Sequence, residues 1–279
     1  MLRLTAVTRR VSDSFDTCQL EYLNRRRIDV SMAAAQHRDY EACLEQLGVR
    51  VVSLKPDASL PDSVFVEDPA IVVDEVAVIT RMGTAARRAE AESLARALSD
   101  FRPLRWLTAP ATLEGGDVME AGKTLYAGLS RRTNREGIEQ LGALVGPFGY
   151  RVVPVEVKRC LHLKTGCSWL GDGRVLANRE WVDCGALAGC EIVDVPAEEP
   201  WAANVLRVGD TVVVAAAFPR TAELLLRAGY QVRTIDISEL AKAEAGLTCM
   251  SLIFESAASE TSADTGQEAC ATENRPETL

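Results

Sequence analysis

The chain is short of histidine. It has two among 279 residues, His37 and His162, so imidazole acid–base chemistry has only two possible carriers. It has no run of about 18 apolar residues, which excludes a transmembrane helix. The first residues, Met1-Leu2-Arg3-Leu4-Thr5-Ala6, hold no signal-type apolar stretch before Arg9-Arg10, so the expected location is the cytoplasm. No two cysteines form a C-x-x-C pair, which argues against a structural zinc site. The eight cysteines (Cys18, Cys43, Cys160, Cys167, Cys184, Cys190, Cys249 and Cys270) therefore read as thiols rather than as a disulfide framework. Basic residues are not in excess. A net charge of -9 argues against nucleic acid or an anionic membrane as partner and suits a small cationic substrate.

A hydrophobic content of 47% is enough for one large core or two modest ones. A strand is expected over 4–8, and Asp29 can cap a helix over 30–47 that Gly48 closes, followed by a strand over 50–54. Two strands (71–74, 76–80), a helix (87–98) and a strand (104–107) come next. The order then repeats. Strands at 118–119 and 124–127, a helix over 134–145 and a strand over 150–155 form one set. Strands at 167–170 and 175–176, a short helical stretch near 180–188 and a strand over 191–195 form another. Strands over 204–208 and 211–216, a helix after Pro219 and a strand over 231–235 form the next. A last strand, 248–254, has no helix after it, and the N-terminal strand, helix and strand would complete its unit. Five strand–strand–helix–strand units fit a propeller-like ring, and an open α/β sheet remains the plainer alternative. The catalytic domain is expected to span 1–255. The small, polar, acidic segment 256–279 is expected to be disordered, with Cys270 incidental.

In a ring, the segments leading into the first strand of each unit meet near the axis. Four of these carry polar residues in apolar surroundings: Asp62, Glu67 and Asp68; Glu114 and Asp117; His162; and Cys249. Each has a bland reading. Asp68-Pro69 is turn chemistry, Gly115-Gly116 a tight turn, His162 a core histidine between leucines, and Cys249 a packed thiol at a strand start. Together they offer a thiol, an imidazole and a carboxylate, the set needed for nucleophilic attack at a trigonal carbon. The remaining acids suit a guanidinium, whose planar fork matches carboxylates.

The strings Asp62-Ser-Val-Phe-Val-Glu-Asp68, Leu113-Glu-Gly-Gly-Asp-Val118, Gly128-Leu-Ser-Arg-Arg132-Thr-Asn134, Leu161-His-Leu-Lys164 and Thr248-Cys-Met-Ser251 occur in this order. Together they resemble the dimethylarginine dimethylaminohydrolases of the guanidine-modifying (pentein) superfamily, over roughly residues 3 to 254. The resemblance implies a five-bladed α/β propeller of pseudo-symmetric ββαβ units, with the termini closing one unit. It implies hydrolysis of Nω-methylated arginines to citrulline and an amine through a covalent thiouronium on Cys249. His162 would be the acid and base, and Glu114 the carboxylate orienting it. Asp68 would grip the guanidinium beside Asp62 and Glu67. Arg87 and Arg132 would hold the α-carboxylate, and Leu20 would touch substrate from a lid. Glu244 stands where a relative can have Asp, near atoms that hold the substrate amine. No metal or other cofactor is implied, and a homodimer is. Arg88, Arg131, Cys160 and Cys167 keep their bland readings. Two alternatives stay open: a hydrolase of arginine or of another Nω-substituted arginine, and a non-catalytic binder of arginine derivatives.

Overall fold

The computed structural model describes residues 2–257. The elements follow the chain as β1 (Leu2–Arg9), α1 (Val30–Gln46), β2 (Arg50–Leu54), β3 (Ala70–Val72), β4 (Ala77–Ile79), α2 (Glu90–Leu98) and β5 (Leu104–Trp106). Next come β6 (Val118–Ala121), β7 (Thr124–Leu129), α3 (Arg135–Val145), β8 (Arg151–Glu156), the single-turn α4 (Leu163–Gly166), β9 (Cys167–Gly171), β10 (Arg174–Ala177) and β11 (Glu191–Asp194). The chain closes with β12 (Leu206–Val208), β13 (Thr211–Ala215), α5 (Pro219–Arg227), β14 (Gln231–Ile235), α6 (Ser238–Ala241) and β15 (Leu252–Ala257).

The strands form five three-stranded sheets: β15-β1-β2, β3-β4-β5, β6-β7-β8, β9-β10-β11 and β12-β13-β14. In each, the first two strands are antiparallel and the last two parallel. A parallel pair needs a crossover. Four units use a helix for it, and the unit of β9, β10 and β11 uses only a short 3-10 turn, Cys184–Ala186. First strands of neighbouring units lie together: β15 against β3, β6 against β9, β9 against β12. They enclose an axial cavity of about 500 Å3 lined by Val72, Val118, Ser168, Leu206 and Leu252, one from each unit. The arrangement is the ring, and the open sheet is excluded.

Local chemistry explains the units. Asp29 caps α1 by accepting from the Met32 N–H at 3.0 Å. Asn134 caps α3 by accepting from Gly137 N at 2.8 Å. Helix α2 buries Ala91, Leu94, Ala95 and Leu98, an i, i+3, i+4, i+7 stripe, in a cluster with Ala77 and Ile79. Leu94 and Leu98 are essentially fully buried, each contributing about 2–3 kcal/mol of transfer free energy as an upper bound.

Two expectations need correction. The segment 248–254 is not one strand. Thr248–Met250 forms a 3-10 turn and the strand starts at Leu252. The cause lies 44 residues away: Asn204 Oδ1 accepts from Thr248 N at 3.2 Å, and its Nδ2 donates to Thr248 Oγ1 at 3.1 Å. These bonds curl the backbone before it can pair, and they keep Asn204 itself out of β12. The strand also continues past 255 to Ala257, paired with Leu2, and Ser256 Oγ meets Thr5 Oγ1 at 2.7 Å. The rest of the expected tail, including Cys270, lies outside the described residues.

Candidate active site

All five segments that lead into a first strand reach one end of the axis. Cys249 sits in the 3-10 turn before β15, with Gly246 N–H pointing at its Sγ at 3.4 Å. Its carbonyl accepts from Glu67 N at 3.2 Å, which ties the turn to the acidic segment. His162 is the residue before α4, held from two sides. Asp117 accepts from Leu163 N at 2.8 Å, and the His162 N–H donates to Thr165 Oγ1 at 3.4 Å. Asp117 also takes the hydroxyls of Ser130 and Thr133 at 2.6 Å each, so one buried carboxylate fixes both the His162 segment and the loop carrying Arg132.

Glu114 is wholly buried. Its Oε2 lies 2.8 Å from His162 Nε2, its Oε1 accepts from Gly83 N at 3.1 Å, and Arg132 Nη1 donates to it at 3.3 Å. The other face of the imidazole has Nδ1 3.9 Å from Asp68 Oδ1. The two glycines after Glu114 are demanded by close approach rather than by a turn. A Cβ on Gly115 would lie 2.0 Å from the Glu67 carbonyl oxygen; one on Gly116 would lie 2.6 Å from His162 Nδ1 and 2.8 Å from Asp68 Oδ1. Gly116 N donates to Asp68 Oδ1 at 3.2 Å.

The electrostatics set the protonation states. Burial alone would lower the pKa of His162, but Asp68, the hydrogen bond to Glu114 and the charge of Asp117 outweigh it and raise it to about 9. Burial pushes Glu114 up, and the hydrogen bond and charge of His162, with Arg87 and Arg132, overcome that and hold the carboxyl well below the usual range. Burial, with Glu67 and Asp68 nearby, pushes the Cys249 thiol up to about 12. At neutral pH the site thus holds an imidazolium, a carboxylate and a neutral thiol.

Asp62, Asp68, Arg87, Arg132, His162 and Cys249 all line one cavity, of about 30 Å3. That is room for a water molecule or so. The cavity is narrow because the two arginines are engaged. Arg87 Nη1 donates to Asp68 Oδ2 at 2.8 Å, and its Nε and Nη2 grip Glu90. Arg132 Nε donates to Glu21 Oε2 at 2.9 Å. Glu67 lies outside this cavity. It accepts from Lys164 Nζ at 2.5 Å and from Thr248 Oγ1 at 2.9 Å, and both it and Lys164 line the axial cavity instead. Leu20 packs on the apolar core, and Gln19 lines the cavity in its stead, its N–H donating to both Asp62 oxygens at 3.1 and 3.3 Å.

Two more residues contribute, Asn204, which the sequence did not single out, and Glu244, which only the family resemblance pointed to. Asn204 precedes β12, and it also donates to the Lys164 carbonyl at 2.9 Å. Glu244, in the left-handed region at φ 61°, accepts with one oxygen from the N–H groups of Glu21, Tyr22 and Leu23 at 3.0, 2.6 and 2.6 Å. It fastens the segment over the cavity. His37 lies away from the site, buried in α1 beside Tyr40 and kept neutral by its burial. Cys167 is buried against Met119, and Cys160 Sγ donates to the His162 carbonyl at 3.3 Å. Arg131 is exposed and reaches only Glu21 among the ion pairs of the described residues.

Asp68, Glu114 and His162 place ligand-type atoms within 4.8 Å of one another. Each already has an ionic or hydrogen-bonded partner, so a metal ion would have to displace Arg87 or break the Glu114–His162 pair. Among the described residues no helix is long and apolar enough to cross a membrane.

A family model described as "N,N dimethylarginine dimethylhydrolase, eukaryotic" matches residues 7–251. An N(G),N(G)-dimethylarginine dimethylaminohydrolase of Pseudomonas aeruginosa is 39% identical over 228 residues, 81% of this chain and 90% of that protein. One from Streptomyces coelicolor is 38% identical over 248 residues, 88% of this chain and 95% of that protein. A structure of the Pseudomonas aeruginosa enzyme, a cysteine-to-serine mutant complexed with citrulline, superposes with a TM-score of 0.86. It has 34% identity and covers 91% of this chain and 100% of that one.

Proposed function

Because the chain belongs to the dimethylarginine dimethylaminohydrolase family, we propose that it hydrolyses Nω-methylated arginines to citrulline and methylamine or dimethylamine. The observation that carries this reading is the convergence of Cys249, the imidazole of His162, Asp62 and Asp68 on one cavity, with Glu114 behind the imidazole. A cationic head placed against Asp68 brings its central carbon to a thiol, and the charge of Asp68, one of the acids that raise the thiol's pKa, is then offset by that cation. The citrulline complex of the Pseudomonas aeruginosa relative supports the product.

The chemistry balances in two steps. Cys249 releases its proton to solvent as the cation docks, and its sulfur bonds to the guanidinium carbon; the C–N bond to the substituted nitrogen breaks, and that amine leaves with a proton from His162. A thiouronium remains on Cys249. His162, now neutral, takes a proton from water; the water oxygen bonds to carbon, the C–S bond breaks, and citrulline and the thiol are released. Glu114 keeps the imidazole oriented and favours its charged form. Arg132 receives the α-carboxylate once Glu21 withdraws. Arg87 does so only by turning away from Asp68, which frees that carboxylate for the substrate. Glu67 acts from beneath the turn, and Leu20 contributes through the position of the lid.

The seven free cysteines among the described residues suit a reducing compartment, and we place the protein in the cytoplasm, possessed of no nucleic-acid or membrane partner and paired as a homodimer. Side-by-side product analysis tests the activity. Asymmetric dimethylarginine and monomethylarginine should each yield citrulline and the matching amine, far faster than arginine yields ammonia. Faster ammonia release from arginine would favour a deiminase, and tight binding without any product would favour a binding protein.

A further inference from the structure

Cys249 borders a second cavity. It has a volume of about 270 Å3 and shares Thr165, Glu244, Ala245 and Cys249 with the acidic one. Its walls are otherwise different: Leu23, Trp201, Phe218, Ile237 and Leu247 face it. Trp201 is 41% exposed and Leu23 37%, an uncovered apolar edge of the kind that marks a ligand site. Trp201 stands edge-on to Trp181, with ring centroids 4.5 Å apart at 70°, so this wall is braced.

The reasoning rests on the hydrolase reading above. A guanidinium whose carbon meets Sγ spreads three nitrogens in a plane. One carries the amino-acid chain, and one is drawn to Asp68. The third leaves, and whatever it carries must go somewhere. The acidic cavity is too small, and packing an alkyl or aryl group among its charges would desolvate them at a cost. The apolar cavity opens from the same sulfur.

We propose that this cavity receives the substituent on the leaving nitrogen, and that the enzyme's substrates include Nω-substituted arginines whose substituent is larger than methyl, of butyl or benzyl size. One liquid water takes up about 30 Å3, so 270 Å3 holds a group of roughly eight or nine non-hydrogen atoms, and a methyl leaves most of it unfilled. The bonds made and broken are those already given, with butylamine or benzylamine as the leaving amine. Each methylene buried there should raise kcat/KM by roughly fourfold.

The test compares citrulline formation from Nω-methyl-, Nω-butyl- and Nω-benzylarginine by the wild-type protein and by Ala217→Trp. Ala217 is exposed at the cavity wall, so a bulky side chain there can fill the space without entering the core. The same compounds are assayed for protection of Cys249 against iodoacetamide, which needs no turnover. The benzyl-to-methyl ratio of kcat/KM should exceed one in the wild type and fall at least tenfold in Ala217→Trp, with protection following the same order. A ratio below about one-hundredth, or one that Ala217→Trp leaves unchanged, overturns the proposal while leaving methylarginine hydrolysis standing. Protection by the benzyl compound without citrulline from any compound supports the cavity and overturns the hydrolase reading. Absence of preferential protection by the benzyl compound overturns the cavity whatever is hydrolysed.

Discussion

The raised pKa of Cys249 makes a quantitative claim about its reactivity. A thiol at about 12 is ionised to about one part in ten thousand at pH 8, against about one in ten for a thiol at the ordinary value of 9. Thiolate content alone would make alkylation by neutral iodoacetamide a thousandfold slower. Greater basicity makes each thiolate a better nucleophile, with a Brønsted coefficient of about 0.4–0.5, which leaves a net slowing of roughly 30- to 60-fold. The rate should rise tenfold per pH unit well past pH 9. A cationic haloacetamidine should behave differently, because it sits against Asp68 and offsets a charge that holds the proton on; at pH 8 it should react at least a hundredfold faster than iodoacetamide. Asp68→Asn separates the two effects. Losing one acid lowers the thiol pKa, so iodoacetamide should react faster, while the cationic reagent loses its anchor and slows. The assay is mass-spectrometric labelling of Cys249 over time. A plateau above pH 9 in the wild type, or equal slowing of both reagents in Asp68→Asn, would refute the reasoning.

Other consequences concern the supports of the site. Glu114→Gln removes a carboxylate that favours the imidazolium. His162 should then lose its proton at a lower pH, and the alkaline limb of the kcat/KM profile should move down from about 9 toward 6.5. The same raised pKa gives the folded state a contribution that is complete below about 6.5 and lost as pH rises through about 9, visible in chemical denaturation midpoints. Gly116→Ala forces a Cβ to within 2.6 Å of His162 Nδ1, which should cost about 1–3 kcal/mol of stability and at least a hundredfold in kcat, with the circular dichroism spectrum retained. Asn204→Ala leaves Thr248 N and the Lys164 carbonyl without their partner, which should cost about 1–3 kcal/mol in urea denaturation and lower kcat as the Cys249 turn loosens. Glu244→Ala unfastens the segment over the cavity, so trypsin should cut after Arg25, Arg26 or Arg27 several-fold faster than in the wild type.

The units of the ring were legible because the order of strands and helices recurs, helped by local signals such as the apolar stripe Ala91-Leu94-Ala95-Leu98 and the helix cap at Asp29. The meeting of Cys249, His162, Glu114 and Asp68 followed from the ring, since equivalent positions of a closed repeat share an axis. What was not legible depends on contacts between units. The turn at Thr248 looks like strand start by composition, and only Asn204, docked onto it from another unit, shows otherwise. Gly115 and Gly116 read as a tight turn, yet neither has a positive φ; they are small because Glu67 and His162 press against them. Arg87 and Arg132 could be assigned to a substrate carboxylate by family resemblance, but their grip on Asp68 and Glu21 appears only in three dimensions. Glu244 was marked only by the family resemblance, and its hold on the backbone of Glu21, Tyr22 and Leu23 has no sequence pattern.

The most direct test of the central claim is the yield of citrulline and dimethylamine from asymmetric dimethylarginine, measured for the wild-type protein and for Cys249→Ser and Cys167→Ser. The account predicts equal molar amounts of both products from the wild type, most of that activity in Cys167→Ser, and none above background in Cys249→Ser. Full turnover by Cys249→Ser, or loss of turnover confined to Cys167→Ser, would contradict it.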